Sequence, residues 1–195
     1  MKENKVLSSF DLGQDTYPVD LAILGGNKKL FTICIGSSDG KVSLFTLSGK
    51  ISKIIWNVCM FHVRMFYVHM FHVRMQTIFL QFSKAGQIRL EKKWAAHQGA
   101  CIQCRASPNG TEILTCGEDG TVKIWSKSGL LRTTLASLGQ AIYAVAWSPD
   151  GTNVVMSQAT KIQTKSIQPS ARSEIWNAHS ALITGSPTHS RMIQP

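Results

Sequence analysis

The chain has 195 residues, of which 44% are apolar and 16% charged, and it carries a net charge of +10; this suits one globular domain and would fill four propeller blades only if every residue were used. No uninterrupted apolar run reaches about 18 residues, so no transmembrane helix is expected, and Met1 to Asp20 lacks the apolar core of a secretory signal. The excess charge is regional: no acidic residue lies between Asp39 and Glu91, while Lys41, Lys50, Lys53, Arg64, Arg74, Lys84 and Arg89 do, and a regional excess is weak evidence for a nucleic-acid groove.

In chain order, Leu12-Gly13-Gln14 leads into a first unit spanning Tyr17 to Lys50. Gly25-Gly26-Asn27-Lys28-Lys29 lacks phosphate-loop spacing and reads as a turn. Leu30 to Ile35 reads as a buried strand, Ser38-Asp39-Gly40 as a hairpin turn and Lys41 to Phe45 as a third strand, followed by a turn at Ser48-Gly49. Ile51 to Ser83 then contains no Gly, Pro or Asp, and a sheet without turn residues cannot make its hairpins. Within it Met60-Phe61-His62-Val63-Arg64-Met65 recurs verbatim as Met70 to Met75, which is low complexity. Ile54 to Gln81 is therefore expected to be an insertion inside a sheet, exposed or without fixed structure.

The clearest unit follows. Cys101 to Ala106 reads as a strand, Ser107-Pro108-Asn109-Gly110 as its turn and Glu112 to Cys116 as a second strand. Glu118-Asp119-Gly120 makes a tight hairpin, Thr121 to Trp125 a strictly alternating third strand, and Leu130 to Leu135 a fourth after Ser128-Gly129. Leu138-Gly139-Gln140 opens the next unit, with strands over Ala141–Trp147, Asn153–Met156 and Lys161–Ile167. Its second hairpin has Gln158-Ala159-Thr160 where Asp-Gly is expected, so this unit is degenerate.

Two intervals tie these pieces into a repeat. Trp94-Ala95-Ala96-His97 returns as Trp176-Asn177-Ala178-His179 after 82 residues, and the Ser107 turn returns as Ser148-Pro149-Asp150-Gly151 after 41. A period of about 40–45 residues with Gly-Asp turns and a Trp ending a strand marks four-stranded propeller blades. Asp39 to Asp119 spans 80 residues, which leaves room for the insertion. The expected organisation is a first blade region over 1–53, a low-complexity basic and apolar insertion over 54–82, further blades over 83–183 (the first of them complete, the next degenerate, then the start of another) and a disordered tail over 184–195.

Gly117-Glu118-Asp119-Gly120-Thr121-Val122-Lys123-Ile124-Trp125-Ser126 resembles the WD-repeat signature. With Lys127 to Ala136, Tyr143 to Gly151, Ile167-Gln168-Pro169, Trp176 to His179, Asp15 to Asp20 and Ser37 to Lys41, it resembles the eighty-kilodalton WD-repeat subunit family of the intraflagellar transport B complex. The likeness covers about 15–50 and 84–183, and that family is much longer, so this chain matches an early portion of its first propeller. The fold this implies is all-β, an incomplete WD40-type β-propeller of about three four-stranded blades with an insertion. The function it implies is a non-enzymatic scaffold supporting cilium assembly and intraciliary transport. Its partners would be other intraflagellar transport B subunits, bound without a cofactor at the cilium and its base. The rival readings are a nucleic-acid-associated basic WD-repeat protein and a truncated piece with no independent function.

Blades of this family carry a hydrogen-bonded tetrad, and the matching positions here are His97, Thr115, Asp119 and Trp125, with Trp147 and Trp176 expected as packing anchors. A buried imidazole between a carboxylate and a hydroxyl satisfies each polar group and locks the turn. A catalytic relay would also need an accessible nucleophile and an oxyanion site, and the repeat already explains the residues. The first unit has Ile35 at the hydroxyl position and the third has Gln140 for the histidine, so only the middle unit can hold the full set. No metal site is expected. Cys101-Ile102-Gln103-Cys104 lacks a second such pair, its cysteines should face opposite sides of a strand, and His62, His69 and His72 have no carboxylate nearby. The five cysteines (Cys34, Cys59, Cys101, Cys104, Cys116) are expected as free thiols.

Overall fold

The computed structural model describes residues 8–13, 15–27, 30–48, 51–55, 77–82, 87–168 and 174–177. All regular structure among them is antiparallel strand: β1 (Ser8–Asp11), β2 (Pro18–Asn27), β3 (Leu30–Ser37), β4 (Lys41–Ser48), β5 (Ile51–Ile55), β6 (Thr77–Phe82), β7 (Gln87–Ala95), β8 (Cys101–Ala106), β9 (Glu112–Gly117), β10 (Thr121–Ser126), β11 (Leu131–Ser137), β12 (Val145–Trp147), β13 (Asn153–Gln158), β14 (Lys161–Ser166) and β15 (Glu174–Asn177). They form three four-stranded sheets, β2-β3-β4-β7, β8-β9-β10-β11 and β12-β13-β14-β15, and a three-stranded one, β1-β6-β5. The fold is an incomplete WD40-type propeller.

Local chemistry explains the hairpins. In the first two sheets Asp-Gly closes the link between second and third strands, with Gly40 at φ 73° and Gly120 at φ 69°. Each glycine is needed twice over. The left-handed backbone favours it, and a Cβ would sit 2.2 Å from the His97 carbonyl at Gly40 and 2.7 Å from the Gln140 carbonyl at Gly120. The same tips bond the lead-in to the next sheet or strand: Gly40 O accepts from the Ala96 and His97 amides at 2.9 and 3.0 Å, and Gly120 O from the Leu138 amide at 2.9 Å.

The 41-residue period holds at the level of single hydrogen bonds. Ser107 Oγ donates to Asn109 Oδ1 (2.6 Å) and accepts the Glu112 amide (2.9 Å), while Thr111 N and Oγ1 donate to the same Asn109 oxygen. One period on, Ser148 Oγ donates to Asp150 and accepts the Asn153 amide (2.9 Å), while Thr152 N and Oγ1 donate to the Asp150 carboxylate. The Ser148 hydroxyl and the Thr152 hydroxyl and amide hold the Asp150 pKa down at about 2.

β7 is the fourth strand of the first sheet, paired with β4 from Lys41↔Ala95 to Ser48↔Gln87. The excursion between them interrupts a hairpin without changing which edge is free to pair. Gly25 and Gly26, expected in a turn, are strand residues opposite Thr32 and Phe31; the register irregularity beside them lies between Ile23 and Gly25, with Gly25 at φ 100°. Only Val145–Trp147 of the expected strand Ala141–Trp147 is regular, because the Ala144 amide donates to the Ser157 hydroxyl (3.0 Å). The ends of the 54–82 segment carry strand, β5 and β6; residues 56–76, with His62, His69 and His72, and the tail 184–195 lie outside the described residues.

The core is layered between sheets. Ala22, Leu24, Cys34, Val42 and Leu44 of the first sheet pack with Cys101, Cys104, Ile113 and Trp125 of the second. Leu114, Cys116, Val122 and Ile124 of the second pack with Ile142, Val145, Val154 and Met156 of the third unit. Polar bonds between sheets accompany this packing. Asp20 accepts the Cys104 amide (2.9 Å) and the Arg105 guanidinium, and Gln103 Oε1 accepts the Val145 amide (2.7 Å).

Candidate functional site: the tetrad of the middle sheet

Four segments of the middle sheet bring His97, Thr115, Asp119 and Trp125 together. His97 sits in the lead-in to β8, Thr115 on β9, Asp119 in the β9–β10 turn and Trp125 on β10. The Trp125 indole Nε1 donates to Thr115 Oγ1 at 2.9 Å, Thr115 Oγ1 lies 2.8 Å from His97 Nε2, and His97 Nδ1 lies 2.9 Å from Asp119 Oδ1. A carboxylate can only accept, so His97 Nδ1 carries the proton, Nε2 is bare and the Thr115 hydroxyl donates to it. Every proton in the relay then has one acceptor.

Burial explains the charge state. The His97 side chain is 0% exposed, and desolvation pulls its pKa below the ordinary value although the Asp119 carboxylate works the other way. Burial alone would raise Asp119. Hydrogen bonds from His97, from Thr121 through both side chain and amide, and from the Gln98 amide outweigh it and hold the pKa down. A Cβ at Gly117 would stand 2.5 Å from the imidazole ring, so the ring has no room to turn.

Thr121, which sequence reasoning passed over, is a fifth member: its hydroxyl is 2.8 Å from Asp119 Oδ1 and 3.0 Å from His97 Nδ1. A hydroxyl two residues after a turn aspartate was the available signal. Lys123 joins at the rim, with Nζ 2.6 Å from the Ala96 carbonyl and 3.9 Å from Asp119. The matching positions of the first sheet, Ile35 and Phe45, are apolar and buried. In the third unit Gln140 is exposed and Met156 is buried.

Of the two expected anchors, Trp147 is half-buried against the second–third core and donates from Nε1 to the Arg105 carbonyl at 3.4 Å. Trp176 is 47% exposed and anchors nothing among the described residues. Trp94, at the matching place on β7, shows what such a residue does when a sheet follows it. It lies 5.7 Å from the Trp125 ring and would be 2.9 Å from a Cβ at Gly129. The two Cys-x-x-Cys thiols do not face apart: a register irregularity between Cys101 and Gln103 resets the alternation, and both sulfurs join the first–second core. Burial raises the Cys101 and Cys116 thiol pKa values, which leaves them as weakly acidic, inert packing groups.

Residues 88–126, which hold this network, match the family "WD domain, G-beta repeat". They are a WD repeat. Over 105 residues the chain is 45% identical to the Intraflagellar transport protein 80 homologs of mouse (Mus musculus) and rat (Rattus norvegicus), a stretch covering 54% of this chain and 13% of theirs. It is 32% identical over 72 residues to the WD repeat-containing protein WDS homolog of Arabidopsis thaliana, covering 35% of this chain and 14% of that protein. Among solved structures, the C-terminal WD40 domain of Sif2 superposes with a TM-score of 0.59 at 13% identity, covering 90% of this chain and 40% of that one; this likeness speaks for the fold alone. The chain thus matches about an eighth of the length of its mammalian relatives.

Proposed function

We propose that the chain is a non-enzymatic WD-repeat scaffold acting in the intraflagellar transport B particle, at the cilium and its base, through protein–protein contacts with other subunits of that particle. The observation that carries this reading is the 45% identity over 105 residues to the Intraflagellar transport protein 80 homologs, joined to a sheet array whose polar network is closed on itself. His97, Thr115, Asp119 and Trp125 act as a structural clamp in this reading. The imidazole is sealed and the hydroxyl is already donating to it, so neither is presented to a substrate as base or nucleophile. Rigid sheets then present loops and rims to partners.

A tagged chain expressed in ciliated cells tests the reading. Concentration at the ciliary base and co-purification with intraflagellar transport B subunits after nuclease treatment are the expected outcomes. Recovery of RNA or DNA lost steeply between low and physiological salt, with no transport subunit, would replace it with the nucleic-acid reading. The structure gives that rival little support, because Lys92, Lys93 and Lys123 direct their ammonium groups to the Ser128, Leu12 and Ala96 carbonyls.

A further inference from the structure

The excursion between β4 and β7 has a definite relation to the first sheet. Leu12-Gly13-Gln14 follows β1 as Leu138-Gly139-Gln140 follows β11, so β1 holds the place of an outermost strand belonging to a sheet that precedes the first. Its contacts match that place. Phe10 and Leu12 pack on Ile33, Ile35, Phe45 and Leu47 of the first sheet, as Ala136 and Leu138 pack against the third unit. Phe10 meets Phe45 edge-on with ring centroids 4.6 Å apart. What pairs with β1 is β6, and the register repeats that of the middle sheet. Asp11 stands opposite Thr77 as Ser137 stands opposite Thr121. β5 then pairs with β6 antiparallel, Ile51↔Phe82 to Ile55↔Phe79, in the order that β9 takes beside β10.

We propose that β5 and β6 are an intramolecular stand-in for a preceding blade: they take the second- and third-strand places beside β1 and fill, from within the same chain, the seat that a neighbouring blade would occupy on the first sheet. The seat is a site for β-sheet addition. It offers the main-chain edge of β1, which left unpaired would recruit another chain, beside an apolar face. Filled in this way, the first sheet is closed to a blade from another chain. This inference stands whether or not the chain serves ciliary transport.

Cross-linking tests it in the whole chain. In a Cys59→Ser background, Ser9→Cys with Phe79→Cys places two thiols on directly opposed residues, within the Cα separation a disulfide spans. Mild oxidation is expected to give an intrachain bond, read by intact mass and peptide mapping. Ser9→Cys with Leu80→Cys, one residue out of register, should give at least fivefold less. Equal yields from both pairs, or bonds formed only between chains, would overturn the proposal. Separately, replacing 49–86 by an Asn-Gly turn between Ser48 and Gln87 should speed hydrogen exchange at Ser8–Asp11 more than tenfold while Glu112–Ser126 stays protected. Unchanged exchange at β1 in the folded deletion variant would equally overturn it; should that variant not fold, the cross-linking result decides alone.

Discussion

At the residue scale the relay from Trp125 to Asp119 is held together by complementarity, so removing its central atom strands two partners. Thr115→Val keeps the volume but leaves the Trp125 Nε1–H and the bare His97 Nε2 buried without partners. An unsatisfied buried polar group costs about 1–3 kcal/mol, so a loss of at least about 2 kcal/mol is expected in urea unfolding, whereas Thr115→Ser should recover most of it. Titration follows from the same network. The His97 pKa is lower in the folded state than the ordinary 6.5. The unfolded chain therefore binds more protons as pH falls below that value, and the stabilisation present above it is lost. Asp119, held below the ordinary 3.8, adds a second loss below that value. Asp20, raised by burial against the pull of Arg105, works in the opposite sense just above 3.8. The urea midpoint should fall between pH 7 and 5, and His97→Gln, which installs the residue of the third unit, should flatten that fall; a parallel fall in both chains would separate His97 from it. The four residues of the relay were reached through the resemblance to the WD-repeat family, whose tetrad positions they match. Thr121 was not, because a hydroxyl beside Asp-Gly is common and only the folded turn brings its oxygen to the imidazole.

At the element scale the hairpins show what local chemistry does when it is missing. The β13–β14 turn lacks Asp-Gly, yet it closes in two residues, with Gln158 opposite Lys161 and Ala159 held at φ 50°. A left-handed alanine costs about 1–2 kcal/mol, and replacing it with glycine returns about 0.4–1 kcal/mol of that to the unfolded chain's entropy. Ala159→Gly is therefore expected to stabilise the fold by about 0.5–1 kcal/mol, read as a higher Tm. No change would mean that the neighbouring strands, and not the turn, set this hairpin's energy. The alternation rule failed at Cys101 and Cys104 for a reason of the same kind: a bulge is a tertiary adjustment, and nothing in Cys-Ile-Gln-Cys announces it.

At the scale of the whole molecule the sheets stack in series, each closing the face of its neighbour, and β15 presents Ile175 and Trp176 at 56% and 47% exposure. Trp94 shows that this position is covered when a sheet follows. Concentration-dependent self-association through that surface is expected in sedimentation measurements. Ile175→Ser with Trp176→Ser should raise the association midpoint about tenfold or more, since tenfold needs only about 1.4 kcal/mol, less than burying one large apolar side chain contributes. An unchanged midpoint would place the sticky surface elsewhere.

Turn chemistry resides in a few adjacent residues, so the Asp-Gly hairpins, the Ser-Pro turns and the 41-residue spacing were readable in the sequence alone, and with them an all-β repeat. Pairing across a long excursion is different. Which edge β7 joins, what lies against β1 and whether Trp176 is covered depend on faces and edges left free after the hairpins form. Those are settled by burial and by satisfaction of main-chain groups among strands far apart in the chain, and only the assembled tertiary structure decides them.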